Sequence, residues 1–211
     1  MSIVRAGDRR ARQRLTPKER TDAILAAATA AFTGDSYDRV AVGAVAEACG
    51  ASESLVYKYF DSKAGLYTAV VRTQLERLAV RQAQALASLR PNSSARDAVR
   101  VRFESVLDHV LELRAEWASP FFTAAYEPAA VQDLREQYRQ EFVAGLIAQL
   151  KNPDHRRARL AIVGFLGHLG AAAQNWVEDG CPASDRGPMV EAALGALQGG
   201  LGDWGSLRPP D

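Results

Sequence analysis

Between Val42 and Lys63 the chain reads VGAVAEACGASESLVYKYFDSK, and this stretch limits the possible folds more than any other. It predicts a short helix over Val42 to Cys49 ended by Gly50, then a tight Gly50-Ala51 turn. A second short helix follows, from the N-cap Ser52 to about Phe60, and Asp61 or Ser62 caps a much longer third one. Strand signals are nearly absent in the rest of the chain. What recurs is apolar spacing of three and four, broken by Gly, Pro and small polar residues, so the fold class is all-α.

The first helix opens at Thr16-Pro17-Lys18-Glu19, with Thr16 as N-cap, Pro17 in the first turn and Glu19 placed for a capping box. Ile24, Leu25, Ala28 and Phe32 form its apolar face, and Gly34 is expected to end it in a left-handed conformation. The long helix that starts near Ser62 carries Leu66, Tyr67, Val70, Val71, Leu75 and Leu78, and stops before the linker RPNSS. Beyond it, Val99, Phe103, Val106, Val110 and Leu111 mark another helix. Ser119-Pro120 opens a brief one, Glu127-Pro128 interrupts, and Val131, Leu134, Tyr138, Phe142 and Leu146 give the next long face. Asn152-Pro153 breaks again, and Asp154 caps a helix to about Glu178. The loop DGCPASDRGP then leads to a final helix around Val190 to Leu197. The expected organisation is an arm over 1–15, a three-helix unit over 16–62, a second helical unit over 63–198 and a tail over 199–211.

Hydrophobic residues make up 47% of the 211 and charged residues 24%, which argues against disorder over most of the length. Cys49 and Cys181 lie far apart in no metal or redox spacing, so both are expected to stay reduced. The longest apolar run, LAIVGFLGHLGAAA, is shorter than the ~20 residues of a membrane crossing and reads as a buried helix. No secretory signal pattern stands at the N-terminus, and a cytoplasmic location is expected. The net charge of +1 hides an uneven distribution: Arg5, Arg9, Arg10, Arg12, Arg14, Lys18 and Arg20 face only Asp8 and Glu19 in the first twenty residues. Such an arm tracks phosphates or an acidic membrane surface, or is a solvated tail.

On a helical wheel, Ser52, Val56, Tyr59 and Phe60 fall on one side, with Glu53, Ser54, Tyr57 and Lys58 on the other. Two short helices about a tight turn, with an apolar stripe inward and a hydrogen-bonding stripe outward, form the arrangement that lays a recognition helix in a DNA major groove. Tyr57 and Tyr59 can hydrogen-bond to phosphate oxygens, while Lys58 and Lys63 add Coulomb attraction. Ser54 and Glu53 are short enough for close approach to base edges. The stretch SYDRVAVGAVAEACGASESLVYKYFDSKAGLY closely resembles the DNA-binding domain of TetR-family transcriptional regulators, over about Thr16 to Val70. That resemblance implies an N-terminal three-helix DNA-binding domain, a long connecting fourth helix and a C-terminal helical ligand-binding and dimerisation domain. It also implies DNA contacts from Ser52, Ser54, Tyr57, Lys58, Tyr59 and Lys63. Two residues depart from the family pattern: Ala41 stands where Thr is usual, removing a helix cap, and Leu55 where Thr or Ser is common. The basic arm, with Arg12 and Arg14 nearest the first helix, is placed for a minor-groove or flanking-phosphate role.

The second half supplies aromatic surface with scattered polar groups, the chemistry of an apolar pocket with few orienting contacts. The candidate ligand contacts are Phe103, His109, Trp117, Phe121, Phe122, Tyr126, Tyr138, Phe142, His168 and Trp176. His109, His155 and His168 have no carboxylate or cysteine at ligand spacing, so neither metal nor cofactor is expected. Gly164, Gly167, Gly170 and Ala171 lower helix propensity, by about 1 kcal/mol per glycine, where another helix could approach closely. With Val190, Ala193, Leu194 and Leu197 from the last helix, they point to a homodimer through the last two helices. The expected function is a homodimeric repressor of a palindromic double-stranded DNA operator, released by a small apolar or amphipathic effector. A helical carrier or adaptor with weak or lost DNA binding is the alternative. No metalloprotease, phosphate-loop or nucleophile-elbow motif points to an enzyme.

Overall fold

The computed structural model describes residues 15–113, 127–150 and 155–202, and among them every regular element is a helix. In chain order these are α1 (Pro17–Gly34), α2 (Val42–Ala48), α3 (Glu53–Phe60), α4 (Lys63–Ala87), α5 (Ala95–Leu113), α6 (Ala129–Leu150), α7 (His155–Glu178) and α8 (Ala183–Leu201). The brief helix expected near Ser119 and the Asp154 cap fall outside the described residues.

α1 begins as its residues require. The Thr16 hydroxyl accepts from the Glu19 N–H at 3.3 Å, and the Glu19 carboxylate accepts from the Thr16 N–H at 2.7 Å, completing the capping box. Its far end differs from expectation. Gly34 is the last helical residue and does not take a left-handed conformation; the following residue, Asp35, is extended, and its carboxylate accepts the Ser36 N–H at 2.8 Å. A short polar side chain thus supplies the turn that a left-handed glycine would have made.

α2 starts at Ala41, whose backbone is extended and which offers no side-chain cap. The backbone there suits a threonine without strain. Ala41→Thr is therefore expected to stabilise the protein by about 0.5–2 kcal/mol in urea denaturation, with an unchanged m-value.

Two apolar clusters organise the fold. The first gathers α1, α2 and α3 around Ile24, Ala28, Phe32, Val45 and Val56, together with Leu66 to Leu75 of α4 and Val131 of α6. The second runs from Leu78 of α4 through α5, α6, α7 and α8, with Phe103, Leu146, Ile162, Phe165 and Leu194 deep inside. The two cores meet inside α4, between Leu75 and Leu78.

α8 begins well before Val190, the first residue expected in it. Residues 183–188 are helical despite Pro188, and the helix continues past Gly199 to Leu201. Its first turns are held from outside: Arg186 pairs with Asp108 of α5 at 2.6 Å, and the Trp176 indole donates to the Pro182 carbonyl at 2.9 Å. α7 is long and apolar enough, by length and composition, to cross a membrane. Its apolar residues Ile162, Phe165, Leu166, Leu169 and Trp176 are buried in the second core.

Candidate nucleic-acid interface

α2 and α3 are joined by a turn closed through its backbone. Gly50 has φ 63°, its N–H reaches the Glu47 carbonyl at 3.1 Å, and the Ala51 N–H reaches the Ala46 carbonyl at 2.8 Å. A left-handed residue is needed at that point, and glycine takes the conformation without a Cβ clash. α1 supports the turn from behind, where Arg20 donates to the Cys49 carbonyl at 3.4 Å.

α3 presents the two faces expected of it but for Ser52, expected on the inward side and exposed as the helix cap. Val56 is buried, and Tyr59 and Phe60 pack against the first core, while Ser52, Glu53, Ser54, Tyr57 and Lys58 are exposed. Tyr57 remains 38% exposed, an open position for a large ring in a helix otherwise packed on its neighbours. Its hydroxyl pKa is raised, by desolvation first and then by the nearby Glu53 carboxylate, so it stays a neutral donor. Ser52 caps the helix by accepting the Leu55 N–H at 3.2 Å and lies 3.0 Å from the Ser54 hydroxyl. Leu55 is half-buried, as its apolar side chain favours.

The α3–α4 corner is tight. Asp61 takes φ 61°, and Ser62 rather than Asp61 caps α4, accepting the Gly65 N–H at 3.0 Å. A Cβ on Gly65 would lie 2.1 Å from the Phe60 carbonyl oxygen, so the third residue after the cap must be glycine for the corner to close. Lys63 does more than reach outward. Its ammonium donates to the Asp38 carbonyl at 3.0 Å and lies 4.8 Å from the centre of the Tyr37 ring, clamping the loop between α1 and α2.

Residues 24–70, from α1 into α4, match the family described as bacterial regulatory proteins, tetR family. The chain is 28% identical over 202 residues to the HTH-type transcriptional activator FasR of Mycolicibacterium smegmatis, covering 93% of this chain and 89% of that protein. Residues 24–70 thus carry a DNA-binding domain of the tetR family. Solved structures share the fold. A tetR-family transcriptional regulator from Streptomyces coelicolor aligns with a TM-score of 0.69 at 20% identity, over 88% of this chain and 80% of that one. The fatty acid degradation regulator FadR from Bacillus halodurans aligns with a TM-score of 0.63 at 16% identity, over 94% of this chain and 100% of that one. The chain is a DNA-binding transcriptional regulator with its helix-turn-helix at α2 and α3.

A buried ion pair with no local signature in the sequence joins the TetR-family DNA-binding core to α6. Arg135 of α6 grips Glu127 through two bonds of 2.7 and 2.8 Å, and the Tyr67 hydroxyl of α4 donates to the same carboxylate at 2.7 Å. The Glu127 and Arg135 side chains are 1% and 5% exposed. The Tyr67 ring lies 4.8 Å from Phe32 and 5.1 Å from Tyr37, so the pair is coupled to the loop that Lys63 clamps. Burial, then the bond to Glu127, raises the Tyr67 hydroxyl pKa far above its usual range.

The candidate ligand contacts divide three ways. Phe103, His109, Phe142 and Trp176 are buried in the second core, and Tyr138 is half-buried beside them, donating to Gln82 at 3.2 Å. His168 is exposed on the outer face of α7 and does not join that interior group. Trp117, Phe121, Phe122 and Tyr126, like Arg12 and Arg14, lie outside the described residues. An open groove of about 900 Å³ also runs between α6 and α7, with Val143, Ile147, Val163 and Leu166 along its floor and Arg139 and Arg159 beside them.

Burial holds the His109 pKa down to about 4, with Arg81 the next cause. The folded protein therefore keeps a neutral imidazole where the unfolded chain takes up a proton. Stability contributed by this group is intact above about pH 6.5 and falls progressively as pH drops towards 4, by roughly 3 kcal/mol. His109→Leu is expected to remove that part of the acid sensitivity, which denaturation midpoints of both proteins across this range would reveal.

Val190, Ala193, Leu194 and Leu197 are packed inside the subunit and cannot form a dimer face. Their spacing marks the inner stripe of α8. The outer faces present Leu160, Val163, Gly164 and Gly167 on α7, and Ala192, Gly195, Ala196 and Gly199 on α8. Leu160 and Val163 are 65% and 51% exposed.

Proposed function

We propose that this TetR-family regulator is a homodimeric repressor of a palindromic operator, released when a small apolar or amphipathic molecule enters the second core. The observation that carries the reading is the continuity of α4. Its first turns belong to the DNA-binding core, and its later turns line the helical core that holds the candidate effector contacts. A molecule that displaces α4 there moves α3 with it. Two recognition helices fit successive major grooves only at about 34–36 Å separation, so a modest swing spoils the match. Coupling of this kind is typically about 1–3 kcal/mol and is reciprocal between ligand and DNA.

In this reading Ser52, Ser54, Tyr57, Lys58 and Tyr59 meet the DNA, with Glu53 at the base edges, the spare donors of Lys63 on a phosphate, and Arg12 and Arg14 beyond α1. The outer faces of α7 and α8, rich in small residues and bearing exposed Leu160 and Val163, meet their copies across the two-fold axis. The regulator works in the cytoplasm, beside its DNA. Footprinting on the DNA upstream of its own gene, followed by affinity measurements across salt concentrations, tests the first half. A site of two-fold symmetry and a steep salt slope are expected, and an adaptor without DNA binding would give neither.

A second reading, activation, is favoured by the name of the relative that aligns along most of the chain, a transcriptional activator. Deleting the gene separates the two. Expression from the bound promoter rises if the protein represses and falls if it activates.

A further inference from the structure

We infer that Arg102 receives the head group of the effector, and that the molecule it takes is an amphipathic anion, an apolar body ending in a carboxylate or phosphate. This inference rests on the effector reading of the second core. Arg102 lies on α5 facing α6, with its guanidinium carbon 5.6 Å from the centre of the Phe142 ring. Its Nε is buried and has no hydrogen-bond partner. None of the ion pairs among the described residues includes it. Burial lowers its pKa, as happens to a cation drawn out of water without a counter-charge. Such a group weakens the fold unless an anion satisfies it.

The surroundings fit an incoming anion with an apolar tail. The Gln82 amide donates to the Arg102 backbone carbonyl at 3.4 Å, and Tyr138, which donates to Gln82 at 3.2 Å, lies close enough to act on the guanidinium charge. Gly145 lies one turn beyond Phe142 on α6. A methyl group there would meet only the Arg102 Nη1, at 3.8 Å, an ordinary contact. Close packing therefore does not require a glycine in mid-helix, and its missing side chain leaves room next to the charge. The Nε2 atoms of Gln74 and His109 are also buried without partners. The buried carboxylate of Glu127 is already taken by Arg135 and Tyr67. Among the described residues, no carboxylate oxygen is among the buried side-chain atoms left without a partner. A neutral apolar molecule would leave the Arg102 Nε unpaired, and a cation would be repelled.

The test is calorimetric titration of the full-length protein with octanoate, decanoate and dodecanoate, the matching alkyl phosphates, and the matching alcohols, all below their micelle-forming concentrations. An acid or phosphate of the series is expected to bind ~10-fold to ~100-fold more tightly than the alcohol of equal length. Arg102→Met is expected to bring it down to the alcohol's affinity, and Arg102→Lys to retain part of the difference. Should the methionine variant not fold, Arg102→Gln carries the same comparison. Equal binding of acid and alcohol, an unaltered affinity in the methionine variant, or no binding by any anion of the series would overturn the inference. Release of DNA is measured separately. Anion binding that depends on Arg102 but leaves DNA affinity unchanged would keep this inference and defeat the effector reading. DNA release by an alcohol, unaltered in Arg102→Met, would do the reverse.

Discussion

Replacing Arg135 by alanine is expected to destabilise the protein by roughly 3–5 kcal/mol, because it strands the Glu127 carboxylate in a site that is 1% exposed. Glu127→Ala leaves the guanidinium in the same position and should cost a similar amount. The double replacement of Glu127 by Leu and Arg135 by Met should recover most of the loss, since an apolar pair needs no counter-charge there. Tyr67→Phe removes a single bond of 2.7 Å to the carboxylate and should cost about 1.5–3 kcal/mol. Urea denaturation of the four variants measures all of this. Single replacements within ~0.5 kcal/mol of the parent would show that the pair does not brace the two cores.

The second large effect concerns DNA. Lys58→Gln should weaken binding to the footprinted site and lower its salt slope by about one counterion, whatever the DNA sequence. Combined with Tyr57→Phe, which removes a neutral phosphate donor, the loss should reach ~10-fold to ~100-fold. Both side chains are exposed, so the thermal midpoint should hold. Lys63→Ala should behave differently, lowering stability as well, because its ammonium holds the Asp38 carbonyl and the Tyr37 ring. Unchanged affinity and salt slope in the double variant would remove α3 as the DNA-gripping element.

Local chemistry made much of the fold legible in advance. Thr16, Ser52 and Ser62 cap the helices they precede, because a hydroxyl at an N-terminus meets donors only three residues away. The inward and outward faces of α3 follow from helical periodicity alone. Distance along the chain hid the rest. Tyr67 and Glu127 are sixty residues apart, and nothing around either one announces the other. Residues 183–188, expected as a loop, form a helix that external contacts at Arg186 and Trp176 stabilise. On α8, apolar residues at helical spacing could equally serve a subunit core or a dimer face, and burial assigns them to the core.

Val131 has a consequence for anyone building hybrids from relatives of this protein. It sits in α6 yet plugs the core of the DNA-reading head, fully enclosed. A graft cut at the end of α4 would leave behind a hole where this valine belongs, and with it the acidic socket for Tyr67. Working chimaeras should therefore carry the 127–135 segment from the same parent as the head.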